Sequence, residues 1–120
     1  MPSKSLLRLE WADFTQTPHD GVVDGPTPDD IRAIIEHLAL DESGFVILAT
    51  DGQTFIQTAH REPGEPEAGL IVEHQQVSTD RHFTLDEPLI DAARAVAAFR
   101  AFFNDPAAIP KFGRWKRIEI

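Results

Sequence analysis

Residues 45–59 read Phe45-Val46-Ile47-Leu48-Ala49-Thr50-Asp51-Gly52-Gln53-Thr54-Phe55-Ile56-Gln57-Thr58-Ala59. Two runs rich in β-branched and aromatic residues flank an Asp-Gly, the strongest short-range signal for a β-hairpin. Asp51 and Gly52 both tolerate positive φ, and the type I′ turn they favour matches the twist of the strands it joins. This reading pairs residues 45–50 with 53–59 and sets Ala49 opposite Thr54. The rest of the chain extends this ribbon or covers it.

Downstream, residues 61–67 form a polar, proline-containing connection, and Gly69 to Gln76 return as a strand. Alternation places Leu70, Val72 and His74 on one face and Ile71, Glu73 and Gln75 on the other. Ser78-Thr79-Asp80 reads as a turn, and Arg81 to Leu85 as a short strand with Phe83 and Leu85 on one side. A helix is expected to open at Thr84-Leu85-Asp86-Glu87-Pro88, capped by Thr84 or Asp86. Its apolar stripe is Leu89, Ala92 or Ala93, Val96, Phe99 and Phe103, and Asn104-Asp105-Pro106 stops it. Residues 114–120 read as a terminal strand.

Upstream, Leu6, Leu7, Leu9 and Trp11 give a first strand, with Leu7, Leu9 and Trp11 facing away from Arg8 and Glu10. Residues 16–26 read as loop. Thr27, Pro28 and Asp30 then form a capping-box-like start, and Ile31, Ile34, Ile35 and Leu38 follow at one-face helical spacing up to about Leu40. The order is β α ββββ α β. It predicts an α+β fold, a single domain over residues 1–120, with an antiparallel meander and two helices packed on one face. The opposite face is left for solvent or a partner.

Composition narrows the function classes. Neither a membrane-spanning run nor a signal peptide is read, and there is no cysteine, which suits a cytoplasmic protein and excludes disulfides and thiolate chemistry. The net charge is −9, and residues 10–42 hold nine acids against Arg32 alone. Such a chain repels nucleic acid and favours a basic partner, although an acidic surface also serves plain solubility.

Catalytic signatures are not found. Ser3, Ser5, Ser43 and Ser78 lie in no nucleophile motif, and Gly21 and Gly25 form no phosphate loop. His60, His74 and His82 are the one histidine set that warrants a metal test, and Glu62, Glu65 and Glu67 the one carboxylate set beyond a helix start. Both read first as ordinary surface or half-buried groups. Trp115 among Lys111, Arg114, Lys116 and Arg117 reads as a charged edge strand rather than a base-stacking site. No metal, cofactor or enzymatic turnover is expected.

Several pieces together resemble a known family. They are Phe45-Val46-Ile47-Leu48, Phe55-Ile56-Gln57-Thr58-Ala59, Leu70-Ile71-Val72-Glu73-His74-Gln75, Arg81-His82-Phe83, Val96-x-x-Phe99 with Phe103, and Phe112-x-x-Trp115. Across residues 44–119 the pattern is similar to the Imm1-type immunity proteins of bacterial polymorphic toxin systems. The resemblance implies a non-catalytic cytoplasmic protein that neutralises a cognate toxin by direct binding. The acidic composition points to a basic toxin domain, with no nucleic acid or membrane partner. Asp20, Asp24, Asp29, Asp30, Glu62, Glu65 and Glu67 are the expected partner-binding residues, because loops on a rigid scaffold commonly carry function. Two other classes remain open: a small ligand-binding or enzymatic domain using the open sheet face and its histidines, and a homo-oligomer pairing through an edge strand.

Overall fold

The computed structural model describes residues 7–51, 53–62, 64–108, 110 and 112–118. The expectations for Leu6, Gly52, Lys111 and Ile120 fall outside them. The chain runs β1 (Arg8–Ala12), β2 (Gly21–Asp24), α1 (Pro28–Leu40), β3 (Phe45–Asp51), β4 (Thr54–His60), a 3₁₀ turn at Pro66–Ala68, β5 (Leu70–Gln76), β6 (Ser78–Leu85), α2 (Ala92–Asn104) and β7 (Trp115–Arg117). The strands form a seven-stranded sheet in the order β2-β1-β3-β4-β5-β6-β7, antiparallel at every pairing. The predicted α+β class and one-sided helix cover are what this architecture shows.

Both helices lie on the face carrying Leu9, Val46, Leu48, Ile56, Val72 and His74, all buried. Ile31, Ile34, Ile35 and Leu38 of α1 and Ala95, Val96, Ala98, Phe99 and Phe102 of α2 complete the core. At α1 the predicted capping box is present: Asp30 N donates to Thr27 Oγ1 (3.1 Å) and Thr27 N to Asp30 Oδ2 (2.9 Å). At its other end Asp41 is buried. Its carboxylate accepts from Thr15 Oγ1 (2.6 Å), the Thr15 and Gln16 amides (3.1 Å each) and the Glu42 amide (2.7 Å). Burial would raise its pKa, but the hydrogen bonds from Thr15, Ser43 and Glu42 outweigh that and hold it well below the usual carboxylate range. Asp41 thereby ties the β1–β2 loop to the end of α1.

Five expectations are corrected. Residues 21–24, read as loop, form β2, because β1 offers them an open edge: Leu9 pairs with Val23 and Trp11 with Gly21. The hairpin register differs by one, with Ala49 opposite Phe55 and Asp51 opposite Thr54, because a bulge at Thr50 adds a residue to β3. The β5–β6 turn sits at Val77 (φ 73°) rather than at Ser78-Thr79-Asp80, and β6 begins at Ser78. The terminal strand begins at Trp115 rather than at 114 and spans Trp115–Arg117, opposite Phe83–Leu85 of β6, with Ile118 N donating to His82 O (2.9 Å); residues 119 and 120 lie outside the described residues.

The start of α2 is the fifth. Its cap is Asp91, whose carboxylate accepts from the Arg94 amide at 2.9 Å, not Thr84 or Asp86. Residues 86–91 are used instead to bring the chain from β6 back beside β5, where Leu70 N donates to Ile90 O (2.8 Å). Leu89 therefore lies before the helix and is 60% exposed, while Phe102 rather than Phe103 is the fully buried ring.

Candidate binding surfaces

The uncovered face of the sheet is built by alternation. Phe45, Ile47 and Ala49 of β3 stand beside Ala59, Gln57 and Phe55 of β4, then Ile71, Glu73 and Gln75 of β5, and Thr84 and His82 of β6. At its centre is a polar chain. Gln57 Nε2 donates to Glu73 Oε1 at 3.0 Å, and His82 Nε2 lies 3.1 Å from the same oxygen. His82 Nδ1 lies 3.1 Å from Gln75 Oε1. Gln75 Nε2 donates to the Gln53 carbonyl (3.1 Å), which fixes the amide with its oxygen toward the ring. An imidazolium satisfies both acceptors, whereas a neutral ring satisfies one. Gln57, Glu73, His82 and Gln75 thus form one continuous polar chain across β4, β5 and β6.

The three histidines do not converge. His82 is on the open face, while His74 and His60 are on the helix side. His60 Nε2 donates to the Leu38 carbonyl at 2.8 Å. His74 is fully buried beside Phe83, Phe102 and Trp115, at ring distances of 6.1, 5.7 and 5.9 Å, with neither nitrogen hydrogen-bonded. Burial lowers its pKa to about 4, with Gln76 favouring the charged ring and His82 and Arg81 opposing it. Among the described residues no group of three or more His, Asp or Glu side chains is placed to hold a metal ion.

Six of the seven expected partner-binding carboxylates separate into two sets, and Asp20 stands apart from both. Asp24, Asp29 and Asp30 lie at the N-terminal end of α1, and each is engaged: Asp24 by Arg8 (2.7 Å), Asp29 by Arg32 (3.1 Å), Asp30 in the capping box. Glu62, Glu65 and Glu67 lie at the opposite end of α1, about 20 Å away by helix rise, where Gly64 N donates to Glu42 O. These three are exposed, and among the described residues no ion pair engages them. Asp20 is also exposed, ahead of β2 and three strand spacings from β4, on the order of 15 Å.

The loop carrying Glu62, Glu65 and Glu67 is held by its own backbone. Glu65 N donates to Glu62 O, Ala68 N to Glu65 O and Gly69 N to Pro66 O, and Arg61 N closes it onto Gly69 O. Gly69 (φ 86°) passes so close to Leu89 and Ile90 that a Cβ would stand 2.8 Å from Leu89 Cδ1 and 3.0 Å from Ile90 O. Beside it runs a groove of about 250 Å³ lined by Ala39, Pro66, Glu67, Gly69, Leu70, Leu89, Ile90, Asp91 and Ala92. A second cleft of about 310 Å³ lies between α1 and the β1–β2 ribbon, lined chiefly by Leu9, Trp11, Val23, Ile34 and His37. Sequence reasoning missed the first groove because it placed Leu89 inside α2. Asp91, directly ahead of the alanine-rich run that begins at Ala92, was the available signal for a later start.

The class these features define is a single antiparallel α+β sheet domain with one open face and carboxylates displayed on a loop closed by backbone hydrogen bonds. Comparison with family models, with curated proteins and with solved structures finds no match for this chain. Among the described residues no helix is long and apolar enough to cross a membrane.

Proposed function

We propose that this chain is a non-catalytic binding protein that neutralises a basic protein partner, in the manner of an immunity protein acting on a toxin domain in the cytoplasm. The observation that carries the reading is the loop at 61–69. Its three carboxylates, Glu62, Glu65 and Glu67, are exposed and free of ion pairs among the described residues, on a backbone already ordered by its own hydrogen bonds. A preordered loop loses little entropy on binding, and displayed carboxylates speed encounter with a cationic surface. The net charge of −9 acts in the same direction at long range. The immunity assignment rests on the family resemblance of residues 44–119, and the direction of charge is independent of it.

The experiment is expression of the neighbouring gene's product with and without this chain. The expected result is growth arrest alone, relief on co-expression, and a complex whose association slows as salt is added. A neighbour that neither binds this chain nor arrests growth removes the reading.

A further inference from the structure

Resting on that reading, we infer that the basic partner docks in the groove between the C-terminal end of α1, the 3₁₀ turn and the start of α2, inserting an apolar side chain flanked by lysine or arginine. The groove floor is apolar: Ala39, Leu70, Ile90 and Ala92 line it, with Leu89 standing 60% exposed at its wall. Leu40, next in sequence to Ala39, is 85% exposed. Leu89 is one of four exposed large apolar residues among the described residues, and it stands at the wall of this groove.

The two charged residues that line the groove are both acidic. Glu67 and Asp91 line it, Glu62 and Glu65 stand on the same loop, and Glu42 is joined to that loop through Gly64. Two bases stand nearby and both are engaged: Arg61 donates to the Glu87 carbonyl (3.4 Å), and Arg94 holds the Glu87 carboxylate. The helix ends agree with this. The negative end of the α1 dipole points at the groove, and the positive end of α2 is offset by the Asp91 carboxylate at its cap. Apolar floor and acidic rim together select a cationic segment with an apolar anchor over an acidic or wholly polar one.

The test uses the intact chain and a defined probe, the amidated peptide Lys-Arg-Leu-Phe-Arg-Lys, titrated by ¹⁵N NMR at low salt. The expected shifts fall on residues 39–42, 62–70 and 89–92. Leu89→Ser, which keeps every charge, should weaken binding at least fivefold. The triple variant Glu62→Lys, Glu65→Lys, Glu67→Lys should weaken it at least tenfold, and Asp20→Lys should leave it within twofold. These residues are exposed, and the unperturbed core spectrum reports that each variant folds. Shifts confined to the Asp24, Asp29 and Asp30 end or to the open sheet face would overturn the groove, as would no binding at all. The same variants are then assayed against the neighbouring gene's product. Tight binding that the triple lysine variant weakens but Leu89→Ser leaves unchanged overturns the groove and leaves the basic-partner reading intact, whereas binding that neither disturbs, or failure of the unmodified chain to bind, removes that reading as well.

Discussion

His74 and His82 sit on neighbouring strands, near each other in the sheet, and on opposite faces. On the covered face His74 is dry, ringed by Phe83, Phe102 and Trp115, with no hydrogen bond to either nitrogen. On the open face His82 is held at both nitrogens by Glu73 and Gln75. The same residue type is thus a neutral space-filler on one side and the hub of a polar chain on the other. Both rings are buried, and the difference lies in what surrounds them. Under the helices water is excluded and the ring remains uncharged, whereas at the sheet surface its charge-bearing partners retain some contact with solvent.

The sharpest contrast between the faces is in packing. Phe99→Ala removes a fully buried ring from the helix-covered core and should cost on the order of 3–5 kcal/mol. Phe55→Ala removes a half-buried ring from the open face and should cost about 1–2 kcal/mol, because the site can fill with water. Urea denaturation measures both. Equal losses would show that the open face is as thoroughly covered as the other.

Acidification tests the dry histidine. The folded pKa of His74 is about 4, below its ordinary 6.5, so between those values the unfolded chain binds the extra proton. Stability should be constant above about pH 6.5 and fall as pH drops toward 4, by on the order of 3 kcal/mol in total. Asp41 acts in a separate window. Its pKa is depressed by its donors, so its contribution is present above its ordinary value and is lost only as pH falls further below about 4. His74→Leu should flatten the first window and leave the second. A slope unchanged by that variant would place the titrating group elsewhere.

At neutral pH one substitution made at both sites should give opposite signs. His82→Phe strands the Glu73 carboxylate without its ring donor and should destabilise by about 1–3 kcal/mol. His74→Phe replaces an unpartnered imidazole with an apolar ring and should be neutral or stabilising by about 1 kcal/mol. Thermal melts of the two variants suffice, and matching signs would dissolve the distinction between the faces.

How far sequence reached follows the range of the interaction. The α1 start was legible because Thr27, Pro28 and Asp30 act on one another within a single turn. The alternation of β5 was legible too, so Glu73 and His74 were assigned to opposite faces correctly. What failed depended on distant partners. Residues 21–24 become a strand only because β1 has a free edge, and Asp91 caps α2 only because residues 86–91 must return to Leu70. The parity of His82 hinged on the turn, which Val77 makes in a left-handed conformation that β-branched residues seldom adopt and no local rule anticipates. The separation of Asp24, Asp29 and Asp30 from Glu62, Glu65 and Glu67 is of the same kind, since the length of α1 divides residues that sequence grouped by charge.

The smallest effect is expected at the centre of the open face. Ile47 is half-buried there between Glu10 and Gln57, with no helix above it. Ile47→Thr keeps the β-branched shape that suits a strand and removes little area from contact with protein, so the loss should stay under about 1 kcal/mol. The melting temperature should also be independent of protein concentration, for the native chain and the variant alike, because a free face contributes nothing by mass action. A second chain seated on this face would change both results: Ile47 would then be core at the contact, its substitution would cost about 2 kcal/mol or more, and dilution would lower the melting temperature. Melts of both proteins across a hundredfold range of concentration, a span of about 3 kcal/mol in the association term, therefore decide whether the asymmetry between the faces belongs to the single chain or is masked in a dimer.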